Sequence, residues 1–169
     1  MVQKFSWQYA IVKQLVTSSD ADHAGCRRTR RSTSGGVAML GSHVLSFWCK
    51  TQTVVSNSSG ESEYYGILKA ATEGLYLQHL LEELGDVKDL VIMTDSTAAK
   101  GFSQRLGVGS RMKHLETSDL WLQEKVHSKA LSIGKVKGTV NVADIGTKNV
   151  DAATLNRLSE LMAFFGVSS

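Results

Sequence analysis

The chain has no proline at all, where average usage would place roughly eight in a protein of this length. Nothing in the pattern of its residues accounts for that absence. Its only cysteines are Cys26 and Cys49. Two are too few for a disulfide framework and fit no metal-ligand spacing, so a disulfide-stapled scaffold is excluded and an intracellular setting, cytoplasmic or nuclear, is expected. No apolar run approaches the ~20 residues of a membrane helix, and the opening MVQKFSWQYA lacks the apolar core of a signal peptide. Neither membrane association nor secretion is therefore expected. There is no internal repeat and no low-complexity linker. With 42% hydrophobic and 21% charged residues the composition is that of a globular protein, which excludes disorder and fibre. One domain over residues 1–169 is predicted, long enough to bury most of its apolar surface around a single core.

What is present is a recurring pattern of apolar runs that end on a carboxylate. Leu15-Val-Thr-Ser-Ser-Asp20 is one, and Leu90-Val-Ile-Met-Thr-Asp95 is another. Two such strands side by side would bring two carboxylates within reach of one metal ion. The segment 4–18 reads as extended, 31–36 as a turn, 37–40 as a short strand and 44–51 as a strand rich in β-branched and aromatic residues, so the first three strands are expected as a meander with short turns. Ser58-Ser-Gly-Glu61 has the form of a capping box. Behind it Tyr64, Ile67, Leu68, Ala71, Leu75, Leu80, Leu81 and Leu84 follow helical spacing until Gly85, which predicts a long amphipathic helix. Strand 90–94 after that helix makes a parallel crossover. Helices over 97–104 and 113–127, the latter with Leu115, Leu122 and Val126 inward, a weak strand over 130–136 and a final helix follow. Asp151 is expected to cap that last helix, with Leu155, Leu158, Met162 and Phe165 as its apolar stripe. The sum is an α/β fold, a five-stranded mixed sheet flanked by helices.

Four carboxylates stand out on this layout: Asp20 and Asp95 at strand ends, Glu63 in the long helix, and Asp144, placed in the first residues of a helix behind a capping Asn141. Hard divalent cations such as Mg²⁺ bind through carboxylates, with substrate phosphate oxygens completing the shell. Two ions roughly 4 Å apart can activate water and stabilise a leaving oxygen in phosphodiester hydrolysis. The net charge is a mild +3, yet Arg27, Arg28, Arg30 and Arg31 crowd directly behind the first carboxylate. A metal site that acts on a polyanion needs such nearby cations to grip the backbone of its ligand. Two assignments have local rivals. Asp22 lies on the same face as Asp20 if the strand continues, although Asp20 adjoins the strand more directly. Glu61 competes with Glu63 but is the natural partner of Ser58 in the capping box.

Five ordered blocks then carry a resemblance: Ser19–Cys26 (SDADHAGC), Thr29–Gly35 (TRRSTSG), Ser58–Tyr64 (SSGESEY), Thr94–Ala99 (TDSTAA) and Asn141–Lys148 (NVADIGTK). Together they closely resemble the ribonuclease H domain of copia-type (pseudoviral) retrotransposon Pol polyproteins, over about residues 15 to 150, with a C-terminal helix at about 151–165. The resemblance implies an RNase H-like fold, two Mg²⁺ or Mn²⁺ ions, and endonucleolytic hydrolysis of the RNA strand of RNA–DNA hybrids. It implies a D-E-D-D catalytic and metal-binding set on Asp20, Glu63, Asp95 and Asp144, with the first Asp of the D-x-D pair and the second Glu of S-S-x-E-x-E-Y. Reverse transcriptase and integrase domains of the same polyprotein are implied as partners. Arg27, Arg28, Arg30 and Arg31 and the hydroxyls of Ser32, Thr33 and Ser34 are the candidate contacts to the nucleic-acid backbone.

The chain departs from the family pattern in His23, where tryptophan is usual, and in Asn149, where proline follows Thr-Lys. Neither position is expected to hold metal. The loop histidine that cellular ribonucleases H carry before the last Asp has no counterpart in 136–143, which leaves the roles of His23, His114 and His127 open. Two other classes are weighed against the nuclease. One is an inactive remnant that binds hybrid or spaces other domains, against which the presence of all four carboxylates speaks. The other is an integrase or transposase with a D-D-E set, which usually places its Glu late, whereas here the Glu is second.

Overall fold

The computed structural model describes residues 12–107, 115 and 119–162. Its centre is the strand Gln14–Ala21 (β1), whose side chains are buried on both faces. β1 pairs antiparallel with Thr33–Leu40 (β2), which pairs antiparallel with His43–Thr51 (β3). On its other side β1 pairs parallel with Asp89–Thr94 (β4), and β4 with Ser132–Lys135 (β5). The sheet order β3-β2-β1-β4-β5 is the predicted five-stranded mixed sheet. The parallel half is reached through the helix Ser59–Glu83 (α1), and Thr97–Ser103 (α2) and Trp121–His127 (α3) follow. The short helix Asp144–Thr147 (α4) and the closing helix Ala152–Leu161 (α5) complete the described order.

Several boundaries differ from the sequence expectation for identifiable reasons. β1 starts at Gln14 and continues through Asp20 and Ala21, because β2 pairs it to its end while the ladder with β4 stops at Ser19; residues 4–11 lie outside the described residues. The segment 33–36, expected as turn, is the first half of β2. Gly36 is strand rather than turn because Trp48 of β3 lies over it: a Cβ there would stand 2.1 Å from the indole. β1 and β2 are joined by the 22–32 loop and not by a tight turn. The third helix begins at Trp121; of its expected first half only Leu115 and residues 119–120 are described, and Leu115 is buried. In α5 Asp151 caps as predicted, accepting from Thr154 N–H at 2.7 Å. Its apolar stripe is narrower than expected. Leu158 and Met162 are buried but Leu155 is 41% exposed, while Phe165 lies outside the described residues.

Two layers of side chains hold the sheet. On one face α1 buries Tyr64, Ile67, Leu68, Ala70 and Ala71 against Leu15, Leu90 and Ile92, with Phe102, Leu122 and Ile133 around them. Two glycines inside α1, Gly66 and Gly74, let it lie close: a Cβ would meet Ser19 Oγ at 3.0 Å in the first case and Leu90 Cδ1 at 2.7 Å in the second. Glycine within a helix costs roughly 1 kcal/mol relative to alanine. Here that cost is offset by seating the helix directly on β1 and β4. The second layer, Val37, Met39, Val142 and Met162, closes the other face beneath α4 and α5. Among the described residues no helix is long and apolar enough to cross a membrane.

Candidate metal centre

Strand pairing puts the first two carboxylates together. Ser19 of β1 is the partner of Thr94 in the parallel ladder, so the next residues, Asp20 still within β1 and Asp95 just past β4, lie side by side. Glu63 arrives from the first turns of α1, which Gly66 seats against Ser19 and Ala21. As a result Asp20, Glu63 and Asp95 each offer an oxygen within 4.8 Å of the other two. Asp144 begins α4 on the other face of β1. It stands outside that trio but within the same field. α4 comes this close because Gly35 of β2 has no side chain: a Cβ there would meet Thr147 Cγ2 at 2.7 Å. Asn141, fully buried, ties the approach to α4 onto β1 by donating from Nδ2 to Ser19 O at 3.1 Å and accepting from Ala143 N–H at 3.3 Å.

The electrostatics are those of crowded anions. Burial, then the neighbouring Asp20 and Asp95, push the Glu63 carboxyl up to about 8, against the opposing influence of Lys148 and the Ala21 backbone N–H. Asp144 is raised by burial, a shift that its hydrogen bond with Lys148 counters and that Asp20 and Asp95 add to. Glu63 Oε2 is buried without a hydrogen-bond partner among the described residues. A buried carboxylate oxygen left unpaired is costly, and an all-oxygen set of three converging carboxylates is the donor chemistry of Mg²⁺, Mn²⁺ or Ca²⁺. The residues therefore fit a hard divalent cation. A hollow of about 460 Å³ beside α1, lined by residues that include Val54, Tyr65, Asp119 and Trp121, holds none of the four carboxylates.

The rivals have other occupations. Asp22 accepts a short hydrogen bond from Thr33 N–H through Oδ1, while its own N–H donates to Thr33 O at 3.1 Å, so it closes the base of the 22–32 loop. Glu61 is buried at the start of α1, where its N–H donates to Ser58 Oγ at 3.2 Å and its carboxylate accepts from Asn57 N–H at 2.8 Å. This is the expected capping role. Glu61→Ala should therefore destabilise the protein by about 1 kcal/mol, the usual cost of a lost cap, while Glu61→Gln stays near the parent. Neither should alter the response of the melting temperature to Mn²⁺; a lost metal response in Glu61→Gln would move the ligand to this residue.

The basic run is fully displayed. Arg27, Arg28, Arg30 and Arg31 are exposed on a turn closed by Arg30 N–H to Cys26 O at 2.7 Å and Cys26 N–H to Arg31 O at 3.2 Å, with Arg30 at φ +58°. None of the four makes an ion pair among the described residues. Two of the three hydroxyls expected beside them are turned inward. Ser32 is fully buried and accepts from Ala24 N–H, and Ser34 accepts from Gln52 Nε2 at 2.9 Å, so both brace the loop and β2 instead of facing a ligand; Thr33 is half-buried. His23 is exposed on the loop and His127 on the last turn of α3, and neither bonds to the carboxylates; His114 lies outside the described residues.

Two further residues belong to the centre. Thr147 Oγ1 donates a short hydrogen bond to Asp20 Oδ2, and Lys148 Nζ lies 3.2 Å from Asp20 Oδ1 and 2.8 Å from Asp144 Oδ1. Burial alone would lower the lysine, but its bonds to Asp144 and Asp20 hold the ammonium well above the usual range. The available signal was the helical spacing of Thr147 and Lys148, three and four residues after Asp144.

No family model matches the chain. It is 30% identical over 145 residues to the retrovirus-related Pol polyprotein from transposon TNT 1-94 of Nicotiana tabacum, covering 85% of this chain and 11% of the polyprotein. It is 34% identical over 132 residues to the corresponding polyprotein from transposon RE1 of Arabidopsis thaliana, covering 77% and 9%. The chain thus spans about a tenth of the length of these relatives. Among solved structures it is similar to LC11-RNase H1 isolated from compost, with TM-score 0.54 and 15% identity over 79% of this chain and 91% of that one. It is also similar to LC11-RNase H1 in complex with an RNA/DNA hybrid, with TM-score 0.52 and 13% identity over 76% and 88%.

Proposed function

The chain is homologous to one segment of the retrovirus-related Pol polyproteins of copia-type transposons and has the RNase H fold; from that premise we propose that it is a metal-dependent ribonuclease H. Its substrate is the RNA strand of RNA–DNA hybrids, cut endonucleolytically with two Mg²⁺ or Mn²⁺ ions, and it works in the cytoplasm or nucleus beside reverse transcriptase and integrase domains of the same polyprotein. The observation that carries this reading is the convergence of Asp20, Glu63 and Asp95 around a buried Glu63 oxygen with no hydrogen-bond partner among the described residues.

In this reading the metal ions supply an activated water and neutralise charge on the scissile phosphate. The rest is done by the chain. Asp20 and Asp95, set by the strand ladder, present oxygens from a rigid base, and Glu63 adds a third from the helix. Asp144 approaches from the other face of β1 and completes a four-carboxylate set. The exposed guanidiniums of the 22–32 loop grip phosphates next to that set and orient the backbone. RNA is distinguished by its 2′-hydroxyls in a shallow minor groove, so little base preference is expected.

The decisive experiment offers the protein a hybrid labelled on the RNA strand, a duplex DNA and a single-stranded RNA, each with Mg²⁺, Mn²⁺ or EDTA. Metal-dependent cleavage of RNA confined to the hybrid is the expected result. Binding of hybrid with no cleavage under any condition would make the chain a non-catalytic remnant, and cutting or joining of DNA would place it with the integrases. For the basic loop, Arg30→Ala with Arg31→Ala should weaken hybrid binding and flatten the dependence of log K on log salt by roughly one unit per lost phosphate contact. Turnover at saturating hybrid should change little. Unchanged affinity and salt slope would leave the run a solvated turn.

A further inference from the structure

Lys148 brings a cation of the chain's own into the candidate metal centre. Its ammonium bridges Asp20 Oδ1 and Asp144 Oδ1, at 3.2 and 2.8 Å, while Thr147 of the same turn takes the other oxygen of Asp20. Asp20 is 1% exposed, so both of its oxygens are engaged from one short element. That element is tied to the sheet at its start, where Asn141 bonds to β1, and its own turn is closed by Lys148 N–H donating to Asp144 O at 2.9 Å. The bridge is therefore built into the fold and is not a chance surface pair.

We propose that Lys148 is the resident counter-ion of the metal centre: it clamps Asp20 and Asp144 in the metal-free protein, and a divalent ion must displace its ammonium to load the site. The inference rests on the reading of this centre as metal-binding. The physical ground is Coulombic. At equal distance, repulsion between a divalent ion and an ammonium equals the combined attraction of that ammonium to two carboxylates. A divalent ion on the Asp20 and Asp144 oxygens therefore cancels the attraction that holds Lys148 there. Displacement is feasible because the Lys148 side chain is 45% exposed and its stem is flexible, so the ammonium can swing to water without moving backbone. What metal must overcome is then two partly exposed ion pairs, which tunes the concentration at which the site fills. Lys148 is in this sense a positioning residue.

The test is Mn²⁺ binding by the 169-residue protein, measured from the paramagnetic resonance of free Mn²⁺ and from melts across a Mn²⁺ series, for the parent, Lys148→Met and Lys148→Arg. Lys148→Met should melt lower without metal yet bind Mn²⁺ about tenfold more tightly, equivalent to about 1.4 kcal/mol. Lys148→Arg should return both values toward the parent. Should Lys148→Met fail to fold, chemical acetylation of the parent serves instead: Lys148 should be slow to react in EDTA and become faster with Mn²⁺. A folded Lys148→Met with unchanged or weaker Mn²⁺ affinity, or a lysine whose reactivity ignores Mn²⁺, overturns the proposal and leaves the metal centre standing. A parent that takes up no Mn²⁺ at all overturns the metal reading and this inference together.

Discussion

Replacing Asp95 by asparagine should make the metal-free protein more stable while abolishing both its metal response and its cleavage of hybrid. The Asp95 side chain makes no hydrogen bond or ion pair among the described residues, and it lies within 4.8 Å of the ligand oxygens of Asp20 and Glu63. Its charge helps raise Glu63 and Asp144. Removing that charge relieves repulsion and costs no bond. A gain of about 1 kcal/mol would lift the melting temperature by roughly 2–4 °C in a chain of this size. Mg²⁺ or Mn²⁺ at millimolar concentration should raise the melting point of the parent, since a ligand of the native state stabilises by mass action, and should leave Asp95→Asn where it is. Cleavage should fall by more than about 100-fold, because losing even a partner of a metal ligand typically costs 10–100-fold. Melts of both proteins in EDTA and in Mn²⁺ decide the matter. A variant that is less stable than the parent and still shifts with metal would make Asp95 a structural residue.

The second large effect is a pH dependence of opposite sign to that of an ordinary salt-bridged carboxylate. Glu63 titrates near 8 in the folded protein and near 4.5 when unperturbed. Between those values the native state holds a proton that the unfolded chain has released. Stability of the metal-free protein must then fall as pH rises through that window, by at most about 1.4 kcal/mol per pH unit and in total by an amount on the order of a few kcal/mol. Asp144, also raised, adds to the same slope at the acidic end. Metal reverses the balance, because it binds the ionised carboxylate, so Mn²⁺ affinity should climb with pH over the same range with release of a proton. Glu63→Gln should flatten the slope, melt higher than the parent in EDTA at pH 8, and lose cleavage. Denaturant melts in EDTA at pH 5, 6.5 and 8 measure it. If the parent gains stability from pH 5 to 8, or Glu63→Gln keeps the parent's slope, Glu63 does not carry this burden.

Much of this protein is legible in its sequence because the relevant signals are local. An apolar run that ends in Asp, twice, announces two strands whose ends carry carboxylates. Ser58 and Glu61 mark the start of α1 three residues apart, and the caps at both Ser58 and Asp151 depend only on neighbours along the chain. The order of strands and helices constrains the sheet to few arrangements, which is why the mixed topology could be anticipated. The five ordered blocks identified the family before any distance was known.

What only the tertiary structure decided involves contacts between distant segments. Nothing local shows that Ser32 and Ser34 turn inward, since Ser34 is fixed by Gln52 just past the end of β3 and Ser32 by the fold of its own loop. The Gly35-Gly36 pair looks like a turn until Trp48 and Thr147 are seen packed over it from opposite faces. Asp20 and Asp22 are two residues apart and chemically identical, and they part company because β1 carries one under α4 while the other closes a loop on Thr33. Lys148 meets Asp20 from 128 positions away along the chain. A sequence specifies which residues can ionise, cap or pack; where a charge ends up among other charges depends on how β1, α1 and α4 are brought together, and that is a property of the packed core.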